Sequence, residues 1–235
     1  MGRPPGGRQA RRVSLAQSAR QIFSRQTHDA GRAIDRLGID PSHVVLDLGC
    51  GNGHHSRAIA WRKPALAVDL DVSLEQLRGL ARQISKNGSR SYVCGDALAL
   101  PFREECFDRV VCSLVFYLLP LERALQELYM LMKREGRAYL RVPMLATGRA
   151  REILSPRVGI RGRLYVASHV FNGLLYSMAG RQIRSPFVRR DRWACYVPRR
   201  RFVQAVRRAG FRIETLEIDY PKPHTPSIEA WLVKD

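Results

Sequence analysis

Apolar positions along the chain follow two periods. Short β-type runs recur at Val44–Asp47, Leu66–Leu70, Ser91–Cys94, Val110–Ser113, Arg137–Val142, Arg212–Ile218 and Ser227–Val233, and each reads as a strand. Between them apolar residues return every three or four positions, the spacing of one helix face. Ser14–Leu37 shows it first, through Leu15, Ala19, Ile22, Phe23, Ala30, Ala33, Ile34 and Leu37. His54–Ala60, Leu74–Ile84, Leu121–Met132 and Arg199–Ala209 follow. Ser14 suits an N-cap, and Gly38 and Gly210 suit C-caps. Strands alternating with helices over short loops predict an α/β fold, a doubly wound sheet with helices on both faces. Residues 1–13, basic and rich in Pro and Gly, read as a disordered tail, and 14–235 as a single domain. Residues 145–192 break the alternation and read as an insertion after the fifth strand.

The first strand runs into Asp47-Leu48-Gly49-Cys50-Gly51-Asn52-Gly53-His54-His55. An acid, then alternating glycines, then a helical pattern predicts a strand, a tight turn and a helix start. Glycines here let a ligand lie against the main chain with no Cβ in the way. The spacing is not the G-x-G-x-x-G of dinucleotide enzymes, and no Gly-Lys-Ser/Thr follows as in a P-loop. The acid ahead of the glycines suits a cationic ligand better than a phosphate. Asp69 ends the second strand, with Asp71 just beyond. An acid about twenty residues past such glycines suits a ribose, whose hydroxyls a carboxylate accepts. The offset from Asp47 makes Asp69 the first choice and Asp71 the reserve. Asp47, Asp69, Asp96 and Ser113 all fall at expected strand ends, where a parallel sheet binds its ligands, so they should gather on one edge.

These residues resemble a known family. Asp47–Gly53 resembles motif I of the class I S-adenosylmethionine-dependent methyltransferases. Gly95-Asp96-Ala97, followed by Leu100-Pro101-Phe102, resembles the adenine-binding turn of that family. Lys133-Arg134-Glu135-Gly136 is similar to its Lys-Pro-Gly-Gly turn with two substitutions, and Ala209-Gly210-Phe211 to its turn into strand 6. The likeness covers roughly residues 40–144 and, more loosely, 196–235. It implies a Rossmann-like, seven-stranded, mostly parallel sheet whose last strand lies antiparallel between the fifth and sixth. It implies S-adenosylmethionine as cofactor, held by Asp47, Gly49, Gly51, Gly53, Asp69, Asp96, Ala97 and Ser113. Asp47 would meet the ammonium, the helix start after Gly53 the carboxylate, and Asp69 the ribose. Asp96 and the Ala97 N–H would read the adenine edge. No metal is asked for. Tyr117, in the segment expected to face the methyl donor, is the leading candidate for a base, and His55 the second. His54, His169 and Tyr196 are further candidates. Phe116 and Tyr117 stand where histidines are frequent in the family.

Charge changes the picture at the flanks. The 235 residues carry a net +19. Residues 1–36 hold eight basic and two acidic side chains, and 145–212 hold sixteen and two, so the glycine-turn region is near neutral. The positive field sits where a substrate or an acidic surface would be met. Within the insertion, Leu164–Ala179 is apolar and aromatic at helical spacing between arginines. That predicts a lid over a hydrophobic or anionic substrate, or a segment resting on a membrane surface. Five cysteines without a C-x-x-C pair read as reduced, buried thiols of a cytoplasmic protein, and no apolar run approaches the ~18 residues of a membrane span.

The expected activity is methyl transfer from S-adenosylmethionine to an O or N atom of a small, hydrophobic or lipid-like acceptor. An RNA methyltransferase stays open, because basic flanks suit phosphates. Against it, no Asn/Asp-Pro-Pro-Tyr/Phe motif follows the fourth strand and no Pro-Cys pair stands there. An S-adenosylmethionine-binding protein without chemistry also stays open.

Overall fold

The computed structural model describes residues 30–84, 89–146, 159–184, 193–220 and 226–235. The expected tail, the first half of the leading helix and much of the insertion lie outside these residues. Seven strands form one sheet: β1 (Val44–Leu48), β2 (Leu66–Asp71), β3 (Arg90–Cys94), β4 (Phe107–Ser113), β5 (Met132–Pro143), β6 (Phe211–Asp219) and β7 (Ser227–Lys234). Their order is β3-β2-β1-β4-β5-β7-β6. The first five are parallel, and β7 runs antiparallel between β5 and β6, as expected. The order reverses at β1 and β4, and ligands bind beyond the strand ends at such a switch point.

Alternation along the strands builds two cores. Leu46, Val110, Ala138 and Leu232 stand in register across four strands, and all are buried on one face. Helices α4 (Leu121–Leu131) and α6 (Arg199–Arg208) cover them with Leu125, Leu128, Phe202 and Val206. One residue further along, Asp47, Val111, Tyr139 and Trp231 form the facing layer. There α1, described over residues 30–37, packs Ala33, Ile34 and Leu37, and α2 (His54–Arg62) packs Ile59. Each fully buried aliphatic contributes about 1.5–3 kcal/mol over leaving it in water, so these stripes fix which side each helix turns inward. Helix α3 (Leu74–Gln83) closes over the glycine turn with Leu77 and Leu80.

Two of the boundaries that differ from the sequence reading bear on the site or the sheet. β5 starts at Met132, so Lys133–Gly136 lies inside the strand rather than in a turn before it. The irregularity survives as a shift in register between Phe107 and Arg109, with Glu135 at φ 59°. β2 runs to Asp71, one residue past the expected end, and the position of two carboxylates depends on it.

Helix α5 (Ile160–Ala179) lies at the edge formed by the ends of β4 and β5. Its buried residues are His169, Asn172, Gly173 and Tyr176. Asn172 donates to the carbonyls of Ile183, Trp193 and Ala194, and accepts from the Ile183 N–H. Tyr176 donates its hydroxyl to Glu122 on α4 at 2.5 Å. Gly173 is needed by contact, since a Cβ there would stand 2.4 Å from the Tyr196 carbonyl oxygen. Polar groups, not an apolar stripe, hold this helix to the body.

Candidate functional site

The glycine turn leaves β1 and is stitched to β2. Gly49 and Cys50 both donate to the Leu70 carbonyl, at 2.7 and 3.0 Å. Gly53 has φ 74°, and a Cβ there would lie 2.1 Å from Leu80 Cδ1; at Gly49 it would lie 2.2 Å from Val115 Cγ2. Those two glycines are therefore set by packing against α3 and the loop after β4. Gly51 is different: its φ is 49°, and the nearest atom to an added Cβ is the Gly49 oxygen, 4.0 Å away. The main chain is bare on that side, the cradle a ligand against the backbone requires.

Beneath the turn lies a buried polar network. Asp47, 2% exposed, accepts from Ser56 Oγ at 2.6 Å. Asp69, wholly buried and directly opposite Asp47 in the sheet, is paired with Arg90, which also donates to the Ser56 carbonyl at 3.0 Å. Burial pushes the Asp47 carboxyl up, and the Asp69 charge adds to that. Burial pushes Asp69 up too, against the pull of Arg90. Two carboxylates this close do not ionise independently.

Two of the expected ligand residues lie in this network. Asp69 is wholly buried, with Oδ2 paired to Arg90 and Oδ1 buried beside it. Asp47 is likewise buried, against Ser56. Because side chains at i and i+2 share a strand face, Asp71 stands on the same face one step nearer the open end. Its Oδ2 accepts from the Gly51 N–H at 2.9 Å and its Oδ1 from the Ser73 N–H at 2.8 Å. The signal in the sequence was Ser73, whose hydroxyl caps α3 by accepting from the Gln76 N–H. A cap two residues past Asp71 marks where β2 ends.

The turn after β3 joins the same edge, since the Gly95 N–H donates to the Asp71 carbonyl at 3.1 Å. Asp96 is exposed, and its Oδ1 accepts from the Leu98 N–H at 2.9 Å, which fixes the turn that presents Ala97. Phe102 meets Phe107 edge-on at 5.0 Å and packs against the core. Ser113 closes β4 beside Arg141. The next residue, Leu114, has φ 61° and is 45% exposed. A bulky side chain in that backbone region is strained, and such strain concentrates at functional sites. Nothing in the sequence announced it.

The candidate bases separate into two places. His55, in the first turn of α2, lies 5.9 Å from the Tyr139 ring. Burial, then the charges of Arg141 and His54, lower its pKa to about 4. It is therefore neutral at pH 7, and a base that weak is poorly matched to working pH. Arg141 itself is held by Asp219 at 2.7 Å and Glu229 at 3.5 Å. Tyr117 sits in a single 3-10 turn, Phe116–Leu118, whose Tyr117 carbonyl accepts from the Cys195 N–H at 2.8 Å. Its ring lies 6.1 Å from the buried His169. The Tyr165 and Tyr196 rings lie 4.1 and 5.3 Å from the same imidazole. Tyr117, His169 and Tyr196, scattered along the sequence, thus meet in one aromatic cluster, with Tyr165 as a member sequence reasoning missed. His169 Nδ1 stands 2.7 Å from the Tyr165 carbonyl. A carbonyl only accepts, so Nδ1 carries a proton.

Residues 46–140 match the methyltransferase domain family. A malonyl-[acyl-carrier protein] O-methyltransferase of Herminiimonas arsenicoxydans is 36% identical over 130 residues, 53% of this chain and 48% of that protein. The 18S rRNA (guanine-N(7))-methyltransferase bud23 of Schizosaccharomyces pombe is 31% identical over 132 residues, 51% of this chain and 48% of that protein. The chain thus spans about half the length of these curated relatives. Among solved structures, a geranyl diphosphate methyltransferase in complex with S-adenosylmethionine superposes with a TM-score of 0.66 at 13% identity, over 99% of this chain and 93% of that one. The sheet order, the glycine turn and the matched segment agree: residues 46–140 match the methyltransferase domain family, and the fold is that of the S-adenosylmethionine-dependent methyltransferase structures it resembles.

Proposed function

We propose that this protein methylates an O or N atom of a small acceptor with an apolar body, using S-adenosylmethionine. The observation that carries the cofactor assignment is the bare Gly51 backbone beside the carboxylate of Asp71, whose main-chain carbonyl also anchors the Asp96 turn. Asp71 would accept from the ribose hydroxyls. Asp96 and the Ala97 N–H would take the adenine edge, and the start of α2 would favour the carboxylate of the methionine part. When bound, the cofactor supplies an electrophilic methyl carbon on a positively charged sulfur.

The rest falls to the acceptor site. The cluster of Tyr117, Tyr165, His169 and Tyr196 offers aromatic faces to orient an acceptor. Tyr117 is accordingly the group assigned to acceptor chemistry, and His55 to support of the sheet face near Arg141. Calorimetry with S-adenosylmethionine tests the cofactor, and formation of S-adenosylhomocysteine in fractionated extract tests turnover. Tight cofactor binding without product in any fraction supports a binding protein instead.

A second reading rests on the basic flanks and on the rRNA enzyme among the relatives. Phosphate contacts give an affinity that falls steeply with salt. RNA binding that is strong at low salt and specific at moderate salt favours that reading, and negligible binding at physiological salt removes it.

A further inference from the structure

Helix α5 is folded with its pattern reversed. Its polar and small residues, His169, Asn172, Gly173 and Tyr176, are buried. Five large apolar residues face out: Ile160 is 72% exposed, Leu164 53%, Phe171 57%, Leu174 48% and Met178 81%. At about 100° per residue these five fall within an arc of about 80°, and they extend along about 27 Å of the helix axis. Soluble surfaces rarely leave so long a contiguous apolar stripe uncovered. The Asn172 and Tyr176 hydrogen bonds commit the inner face to the body, so the helix has no simple way to roll the stripe inward.

The charge around the stripe says what covers it. Among the described residues 159–184 stand four arginines, Arg161, Arg163, Arg181 and Arg184, and no carboxylate. Arg161 flanks the stripe at its start, and Arg181 and Arg184 are exposed just past its end. A second copy packed on this face, in either direction, would bring arginines against arginines with no acid in the segment to pair them. A groove for single-stranded RNA would set aromatic faces among the charges, yet four of these five side chains are aliphatic. An apolar ridge rimmed by cations fits the interface of a bilayer containing anionic lipid. No helix among the described residues is long and apolar enough to cross a membrane, which leaves docking in the plane of the surface.

We infer that the outer face of α5 is a docking surface for anionic lipid membranes, with the helix lying flat and its apolar ridge inserted below the headgroups. The same helix carries His169 on its inner face, so the proposed acceptor site lies directly behind the membrane contact.

The test is co-sedimentation of the full chain with vesicles of phosphatidylglycerol or of phosphatidylcholine alone. Binding to the anionic vesicles is expected to exceed binding to the neutral ones by at least about tenfold, and to persist in part at about 0.5 M salt, where simple charge attraction is screened. The double variant Phe171→Glu/Met178→Glu is expected to melt as the native chain does and to bind at least about tenfold more weakly. In a separate Phe171→Trp variant, lipids brominated on the acyl chain are expected to quench the new indole. The inference is overturned if the glutamate variant binds vesicles as the native chain does, or if all binding disappears in salt and the introduced indole is unquenched. It is also overturned if sedimentation shows a dimer that the glutamate variant dissolves, or RNA binding that it abolishes. None of these measurements reads cofactor binding or methyl transfer, so the outcome stands apart from the proposed function.

Discussion

Assigning the ribose to Asp71 rather than Asp69 makes a prediction with two separable arms. Asp71→Asn removes a charged acceptor from the open end of β2. A hydrogen bond to a charged group contributes about 1.5–3 kcal/mol, so S-adenosylmethionine should bind roughly 10- to 150-fold more weakly. Folding should change little, by about 1 kcal/mol, because the amide oxygen still accepts from one of the Gly51 and Ser73 N–H groups. Asp69→Asn is the opposite case. It breaks a buried ion pair with Arg90, whose side chain is only 10% exposed. Breaking such a pair costs about 3–5 kcal/mol, here toward the lower end because Asp47 remains to offset the Arg90 charge. At 2–4 °C per kcal/mol in a chain of this size, melting should fall by roughly 6–12 °C. The affinity of the molecules that stay folded should hold within about threefold. Calorimetry below the melting range and thermal melts give the four numbers. A 2′-deoxy analogue of the cofactor completes a double-mutant cycle, in which the Asp71→Asn penalty should largely vanish. A stable Asp69→Asn variant that loses the cofactor, beside an Asp71→Asn variant that keeps it, would refute the reasoning.

Further outcomes rest on other parts of the site. Gly51→Ala places a methyl group in open space at φ 49°, so it should cost only about 1–2 kcal/mol in folding while weakening the cofactor at least tenfold; Gly53→Ala, driven into Leu80, should fail mainly in stability. His55 has an unfolded pKa near 6.5 and a folded pKa of about 4. Between those values the unfolded chain binds a proton the native chain does not, so this group's stability is full above pH 6.5 and lost as pH falls toward 4, by roughly 3 kcal/mol in all. Asp47, pushed up, slopes the other way, so the readout is the native-minus-variant difference for His55→Gln; a difference flat across the window sinks the assignment. Asn172→Ala strips partners from the Ile183, Trp193 and Ala194 backbone, and should cost about 3 kcal/mol or more and speed amide exchange at Ile183 and across 193–197; unchanged exchange would mean the tether is not what holds α5.

How far the sequence could be read depended on whether the signal was local. The strands, the glycine turn and the capped helices are encoded by neighbours within a few residues, and they stand where the pattern put them. Asp69 and Asp71 are locally equivalent: both follow apolar residues and both point to one face. Only the end of β2 tells them apart, and that is set by Ser73 and by pairing with β3, a tertiary fact. Lys133–Gly136 carries turn residues, yet β4 pairs with Met132 on one side of it and Arg137 on the other, which keeps it within β5 as an irregularity. The cluster at His169 was out of reach for another reason. Tyr117, Tyr165 and Tyr196 come from a loop, a helix and a strand-like segment, and nothing in their spacing says they meet.

Helix α5 shows where periodicity alone points the wrong way. A helix in water turns its apolar stripe toward the nearest core. By that rule Ile160, Leu164, Phe171, Leu174 and Met178 belong inside, and His169, Asn172 and Tyr176 outside; the structure has them the other way round. The inversion is tolerable because each inward polar group finds a partner: Asn172 meets four backbone groups, Tyr176 meets Glu122, and His169 meets the Tyr165 carbonyl. With those groups satisfied, the inner face loses little by being polar. The outer face has no such compensation in water, so its apolar side chains are best explained by a second surface that the protein meets. A helix whose polar inner face binds its own fold and whose outer face is apolar serves two surfaces that a single amphipathic stripe could not serve together.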